Sequence, residues 1–148
     1  MTIKNSIIGA YKSLDVIDDL NFGGCGIAAL AVIAWAKKRF PKKSLTIAYI
    51  YTIGLVKFAR TNQEILMDGD YENLWVPYHI ALFVDGDFID SGGIIENTER
   101  YAEIVKSRSV NDLIMFLEYG EWNSDFDRTS GIRKINKILG INLKKFGI

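Results

Sequence analysis

The stretch from Cys25 to about Lys38 is the part of this sequence that most restricts its fold. It reads CGIAALAVIAWAKK, and its apolar residues lie on every side of the helix that the pattern predicts. A helix without a polar face has to be covered by other elements all round. Basic residues at positions 37–39 suit its negative C-terminal end, and Pro41 ends it. We therefore expect a buried central helix.

The composition is that of an ordinary globular domain. The chain has 148 residues, of which 49% are hydrophobic and 24% charged, and its formal net charge is zero. This length fits one domain, so we expect residues 1–148 to form a single unit. Zero net charge provides no overall field for nucleic acid or an anionic membrane. One cysteine and one histidine exclude an internal disulfide and Cys-rich zinc sites, so we expect no metal and no cofactor.

The N-terminal sequence argues against a secretory signal. It lacks an apolar core and carries Asp15, Asp18 and Asp19 within the first twenty residues. The longest apolar runs, 24–36 and 45–56, are shorter than the roughly 18 residues that span a bilayer. Since a lone thiol stays reduced in the cytoplasm, we expect a cytoplasmic protein.

The remaining pattern predicts helices around a small sheet. The Asp85-Gly86 pair favours a two-residue type I′ turn between two short strands. Ser109 and Asp112 resemble a capping box, and Ser130 is a candidate cap for a last helix that ends at Gly140. In chain order we expect helix 5–19, the central helix, strand 45–51 and the hairpin strands 79–84 and 87–91. After the hairpin we expect helix 97–106, a helix through 113–117 and an acidic loop at 119–128. The final helix should have four apolar residues facing inward, Ile132, Ile135, Ile138 and Leu139. This order is typical of an α+β fold.

Cys25 and His79 are single copies of two chemically reactive residue types. A cysteine attacks as the thiolate, which a helix N-terminus and a neighbouring imidazolium both stabilise. Cys25 begins the central helix, and His79 opens the first strand of the hairpin. Taken alone, Cys25 also suits a small buried hydrophobic position, and His79 a satisfied site at a sheet edge. Together they form the only Cys–His pair that this chain can make.

The hairpin register adds a carboxylate. With the turn at 85–86, Ala81 faces Asp90, so Asp90 lies on the same face as His79 and on its diagonal, roughly 7 Å away. Asp85 lies about 20 Å along the strand from His79. We therefore predict that Asp90, and not Asp85, orients the imidazole.

These residues resemble the papain-like fold superfamily. The similarity consists of Gly-Gly-Cys-Gly at the start of a buried helix, followed by a strand that begins with His, a hairpin turn and an Asp, and it covers about 21–93. It is greatest to the transglutaminase-like and arylamine acetyltransferase branch and to small phage and bacterial proteins of similar plan. The resemblance implies a central helix packed on an antiparallel sheet, with Cys25 as nucleophile, His79 as general base and acid, and Asp90 as orienting carboxylate.

The sequence departs from the papain pattern around the nucleophile. Asp19 stands where papain-type proteases place an oxyanion-binding Gln, and Asn21 is an alternative donor. Gly24 leaves room for a substrate backbone. Trp75 and Tyr78 come just before His79 and are candidate walls of a substrate groove.

The expected function is that of a thiol-nucleophile hydrolase or acyl-transferase, in the protease, amidase or deamidase class. Its substrate would be a peptide, a protein or a small molecule with an amide or thioester bond. The absent Gln keeps an alternative open, a papain-like binding or structural module without catalysis, such as a virion component or an inhibitor of a host enzyme. A protein of phage origin would then be virion-associated. An unrelated α+β domain with a coincidental Cys and His is a third interpretation. The sequence leaves the oligomeric state open.

Overall fold

A computed structural model describes residues 2–20, 24–43, 45–52, 79–96, 101–119 and 126–148. Within these ranges no helix is both long and apolar enough to cross a membrane. The helices are α1 (Ile3–Ser13), α2 (Cys25–Arg39), α3 (Val110–Tyr119) and α4 (Arg128–Leu139), with a short 3-10 turn at Leu143–Phe146. The strands are β1 (Thr46–Thr52), β2 (His79–Val84), β3 (Asp87–Asp90), β4 (Gly93–Ile94) and β5 (Tyr101–Arg108). The α+β class is confirmed.

Helix α2 is the centre of the core, as its sequence predicts. Residues 26–32 are buried and residues 33–35 are half-buried. The helix packs against β2, α1, α3 and α4. It ends where Phe40 leaves the helical conformation, and the Phe40 N–H still donates to the Ala36 carbonyl.

The described strands form one antiparallel sheet in the order β4-β3-β2-β1-β5. Helix α2 approaches the sheet very closely at Gly26, where an added Cβ would lie 3.1 Å from Ile80 Cδ1. Gly26 therefore lets the first turn of α2 rest directly on β2. This contact places the beginning of α2 beside the beginning of β2.

The predicted hairpin is present with the predicted register. Leu82 faces Ile89, Phe83 faces Phe88, and Val84 faces Asp87. Asp85 and Gly86 have φ values of 46° and 86°, and positive φ at both positions is what a type I′ turn requires.

Two predicted segments differ from the structure. The helix predicted for 97–106 is wrong, because 101–108 is strand β5, paired with β1. Backbone hydrogen bonds to a distant strand outweigh the local pattern there. The helix predicted for 5–19 ends at Ser13, after which Leu14, Asp15 and Ile17 donate to carbonyls three residues earlier. These tighter bonds turn the chain out of the α-helix.

The caps of the last two long helices agree only in part with the sequence. The Ser109–Asp112 capping box is confirmed by two reciprocal hydrogen bonds of 3.3 and 3.0 Å. The cap of α4 is Asp127 rather than Ser130, because the Asp127 carboxylate accepts from the Ser130 N–H.

The inward face of α4 is narrower than predicted. Ile135 and Leu139 are buried, whereas Ile138 is 39% exposed. The buried stripe follows the four-residue spacing of Gly131, Ile135 and Leu139 and leaves Ile138 beside it. The predicted end of this helix at Gly140 is confirmed. Helix α4 ends at Leu139, and Gly140 follows it in the left-handed conformation.

Two glycine-to-alanine substitutions, one in the hairpin turn and one in a helix, compare a backbone of positive φ with an ordinary helical backbone. No atom lies within 4 Å of a Cβ added at exposed Gly86 or at exposed Gly9 in α1. We expect Gly86→Ala to lower the free energy of unfolding by roughly 1 kcal/mol, because Ala is strained at positive φ. Gly9→Ala should raise it by roughly 0.5 to 1 kcal/mol, because Ala favours a helix interior. Urea denaturation measures both, and equal effects would contradict the assigned turn.

Candidate active site

The N-terminus of α2 presents the thiol of Cys25. Gly24 is the N-cap and has no side chain to cap the helix, and the first described backbone bond of the helix runs from the Ala28 N–H to the Gly24 carbonyl. The N–H groups of the first turn have no partners inside an α-helix. Cys25 is a free thiol and is half-buried. Because it is the first residue of α2, it lies at the positive end of the helix dipole.

Gly24 is enclosed by the protein itself. It is buried, and a Cβ there would lie 2.7 Å from the Leu20 backbone oxygen and 2.8 Å from the Phe126 ring. The Phe126 ring also occupies the side-chain space of Gly131 in α4. The observed role of Gly24 is therefore to let Phe126 join α2 to α4, and the contact with a substrate backbone stays a prediction.

His79 contacts Asp90 directly. As the first residue of β2, His79 pairs with Ile50 of β1 and is 8% exposed. Its Nε2 lies 2.8 Å from Asp90 Oδ2, while Asp90 Oδ1 accepts from the Gly92 N–H at 2.8 Å. Both carboxylate oxygens are thus held in place, and the contact expected from the hairpin register is present.

Cys25 is the second group that acts on the imidazole. Burial lowers the pKa of His79, whereas hydrogen bonds with Asp90 and Cys25 and the negative charges of both raise it, and the net effect is a rise from 6.5 to about 9. Since Nε2 faces Asp90, Nδ1 is the nitrogen left for the sulfur. The site therefore favours the imidazolium form of His79 at neutral pH.

Tyr11 of α1 is a fourth member of this group that sequence reasoning missed. It is 1% exposed, and its hydroxyl has no hydrogen-bond partner among the described residues. Burial raises the pKa of Tyr11 well above its ordinary value, and the negative charges of Asp90 and Cys25 raise it further. Tyr11 is one of several apolar positions on the buried face of α1, so no local pattern distinguishes it from a core residue.

Of the remaining positions singled out in the sequence around the nucleophile and the histidine, the structure describes only Asp19. Asn21, Trp75 and Tyr78 lie outside the described residues. Asp19 has a φ of 58° and lines a cavity of about 290 Å³ together with Asp127 and Lys134. Cys25, His79 and Asp90 do not line that cavity.

The search for metal ligands and the comparisons are both negative. In the part of the chain that the structure describes, no three His, Cys, Asp or Glu side chains are grouped so that they could hold a metal ion. No protein-family model, curated protein or solved structure matches this chain.

The single histidine permits a direct test of the charge state. We expect its imidazole NMR signal to titrate with a midpoint near pH 9. Asp90→Asn should move the midpoint down by at least about one pH unit, because burial then acts with one negative neighbour fewer. Asp85→Asn changes the exposed carboxylate of the hairpin turn and serves as the matched control, with no shift expected. A wild-type midpoint at or below 6.5 would contradict the imidazolium assignment.

Proposed function

We propose that this chain is a thiol-nucleophile hydrolase or acyl-transferase acting on an amide or thioester bond, in a single papain-like domain of the transglutaminase-like type. Cys25 is the proposed nucleophile, His79 the proton carrier and Asp90 the orienting carboxylate. The substrate would be a peptide, a protein or a small molecule in the cytoplasm.

One observation carries the proposal: the only imidazole of the chain is hydrogen-bonded to Asp90, and the packing of α2 on β2 brings the only thiol near it. The interpretation of Cys25 as a mere core filler accounts poorly for this, because a filler needs no charged neighbour. The interpretation of His79 as a satisfied edge residue explains Asp90 but leaves the nearby thiol unexplained. A nucleophile held beside a proton carrier, which is itself oriented by a third group, accounts for all three residues.

Acylation would begin with attack of the Cys25 sulfur on the carbonyl carbon. The sulfur–carbon bond forms, and the carbonyl electron pair moves to the oxygen. The imidazolium of His79 then gives its Nδ1 proton to the leaving amine or thiolate as the bond from carbon to that group breaks. The product of this half-reaction is a thioester on Cys25 and a neutral imidazole.

Deacylation would reverse the proton transfer. Water, or an amine or thiol acceptor, attacks the thioester while the His79 imidazole takes its proton, and the Cys25–carbon bond breaks to return thiolate and imidazolium. Asp90 stabilises the imidazolium and keeps the ring oriented throughout. The backbone N–H of Cys25, at the start of α2, is the expected donor to the oxyanion.

The first test of this proposal is the reactivity of Cys25 with iodoacetamide at pH 6. A reference cysteine in a short unstructured peptide is thiolate in only about one molecule in 300 at that pH. We expect Cys25 to react at least about tenfold faster, even though a stabilised thiolate is a weaker nucleophile. Asp90→Asn and His79→Asn should reduce this excess, and the control Asp85→Asn should leave it unchanged. Cys25 is the single cysteine, so intact mass reports its reaction alone.

Formation of an acyl-enzyme is the second part of the test. With p-nitrophenyl acetate we expect one added acetyl group per chain, which neutral hydroxylamine removes and which is absent in Cys25→Ala. A protein that alkylates at the rate of the reference thiol and forms no hydroxylamine-sensitive adduct would instead be a non-catalytic binding module.

A further inference from the structure

Helix α1 lies along β3 in a way that brings Tyr11 level with Asp90. Near the start of both elements, Lys4 Nζ lies 2.5 Å from Asp87 Oδ2. Tyr11 follows Lys4 by seven residues, about 10.5 Å along a helix and on the same face. Asp90 follows Asp87 by three residues, about 10 Å along a strand. Equal advances along the two elements therefore place Tyr11 beside the end of β3.

A second contact agrees with this placement. Gly93 of β4 pairs with Asp90, and a Cβ added at Gly93 would lie 3.4 Å from Lys12 Cε. Lys12 is the residue next to Tyr11. The last turn of α1 thus covers the Asp90 end of the hairpin.

The Tyr11 hydroxyl is buried and unpartnered among the described residues. Buried tyrosine hydroxyls usually find a hydrogen-bond partner, because an unpaired one loses its hydration without compensation. The neighbouring negative charges keep this phenol neutral, so it retains an O–H donor. Asp90 and Cys25 are the acceptors within its electrostatic reach.

We infer that Tyr11 is a positioning residue of the site, whose O–H group stabilises the negative charge on Cys25 and Asp90 from the interior side. This inference rests on the proposed function of Cys25 as a nucleophile. Tyr11 would set how much of Cys25 is thiolate at a given pH.

Among the described residues, the groups whose charge acts on Tyr11 are Cys25 of α2 and Asp90 of β3, and Asp90 is itself held by His79 of β2. The other β3 carboxylate, Asp87, is paired with Lys4 on α1. Lys12 extends along Gly93, and β4 itself has no titratable residue. The thiol, the carboxylate and the imidazole are thus the groups whose charge Tyr11 affects most.

Tyr11→Phe tests the inference, because it removes the hydroxyl and keeps the buried ring. We expect the pH–rate profile of Cys25 alkylation to move to higher pH and the rate at pH 6 to fall about threefold to tenfold, since the O–H dipole near the negative charges is removed. Ile7→Val, one turn earlier on the buried face of α1, is the control for packing and should leave the profile in place.

The outcomes separate this inference from the proposed function. If wild-type Cys25 reacts rapidly at pH 6 and Tyr11→Phe has the same profile, the inference is overturned and the proposed function stands. If Ile7→Val moves the profile as far as Tyr11→Phe, packing explains the effect and the inference is again overturned. If the wild type itself reacts like the reference thiol, the proposed function fails first.

Discussion

The packing of α2 on β2 is the contact on which the rest of the structure depends. Gly26 lets the helix backbone approach the Ile80 side chain, and apolar burial along residues 26–32 holds the helix there. Because Cys25 precedes Gly26 and His79 precedes Ile80, the same contact brings the thiol and the imidazole to one end of the core. The chemistry of the site therefore follows from the hydrophobic packing, and loss of that packing would separate the two groups.

The electrostatics of the site are a competition between burial and charge. A buried imidazole alone would be neutral, but its interactions with Asp90 and Cys25 reverse that preference and raise the pKa of His79 to about 9. Asp90 exerts this effect because the Gly92 N–H and the hairpin hold its carboxylate. Burial and the negative charges of Asp90 and Cys25 raise the pKa of Tyr11, so it stays a neutral donor. The charge states of these four side chains therefore depend on one another in a largely buried space.

Short-range rules predicted much of this arrangement. The Asp85-Gly86 turn sets the hairpin register, and the register leads to the His79–Asp90 contact. The capping box at Ser109 was equally local. Strand β5 could not be predicted in this way, because it is held by pairing with β1, some fifty residues away in the chain. Tyr11 was missed for the same kind of reason. Its importance comes from lying beside Asp90, and the sequence pattern of α1 contains no sign of that neighbour.

The sequence by itself determined the elements whose causes are local: a central helix with no polar face, a two-residue turn with both φ angles positive, and a reactive residue type at a helix start. Only the tertiary structure decided which elements meet. It placed α1 along β3, inserted Phe126 against Gly24, and buried the Tyr11 hydroxyl near Asp90 and Cys25. The physical reason is the distance along the chain over which each interaction acts. Backbone propensity and side-chain periodicity act over a few residues, whereas burial and charge depend on neighbours that folding brings together from distant parts of the chain.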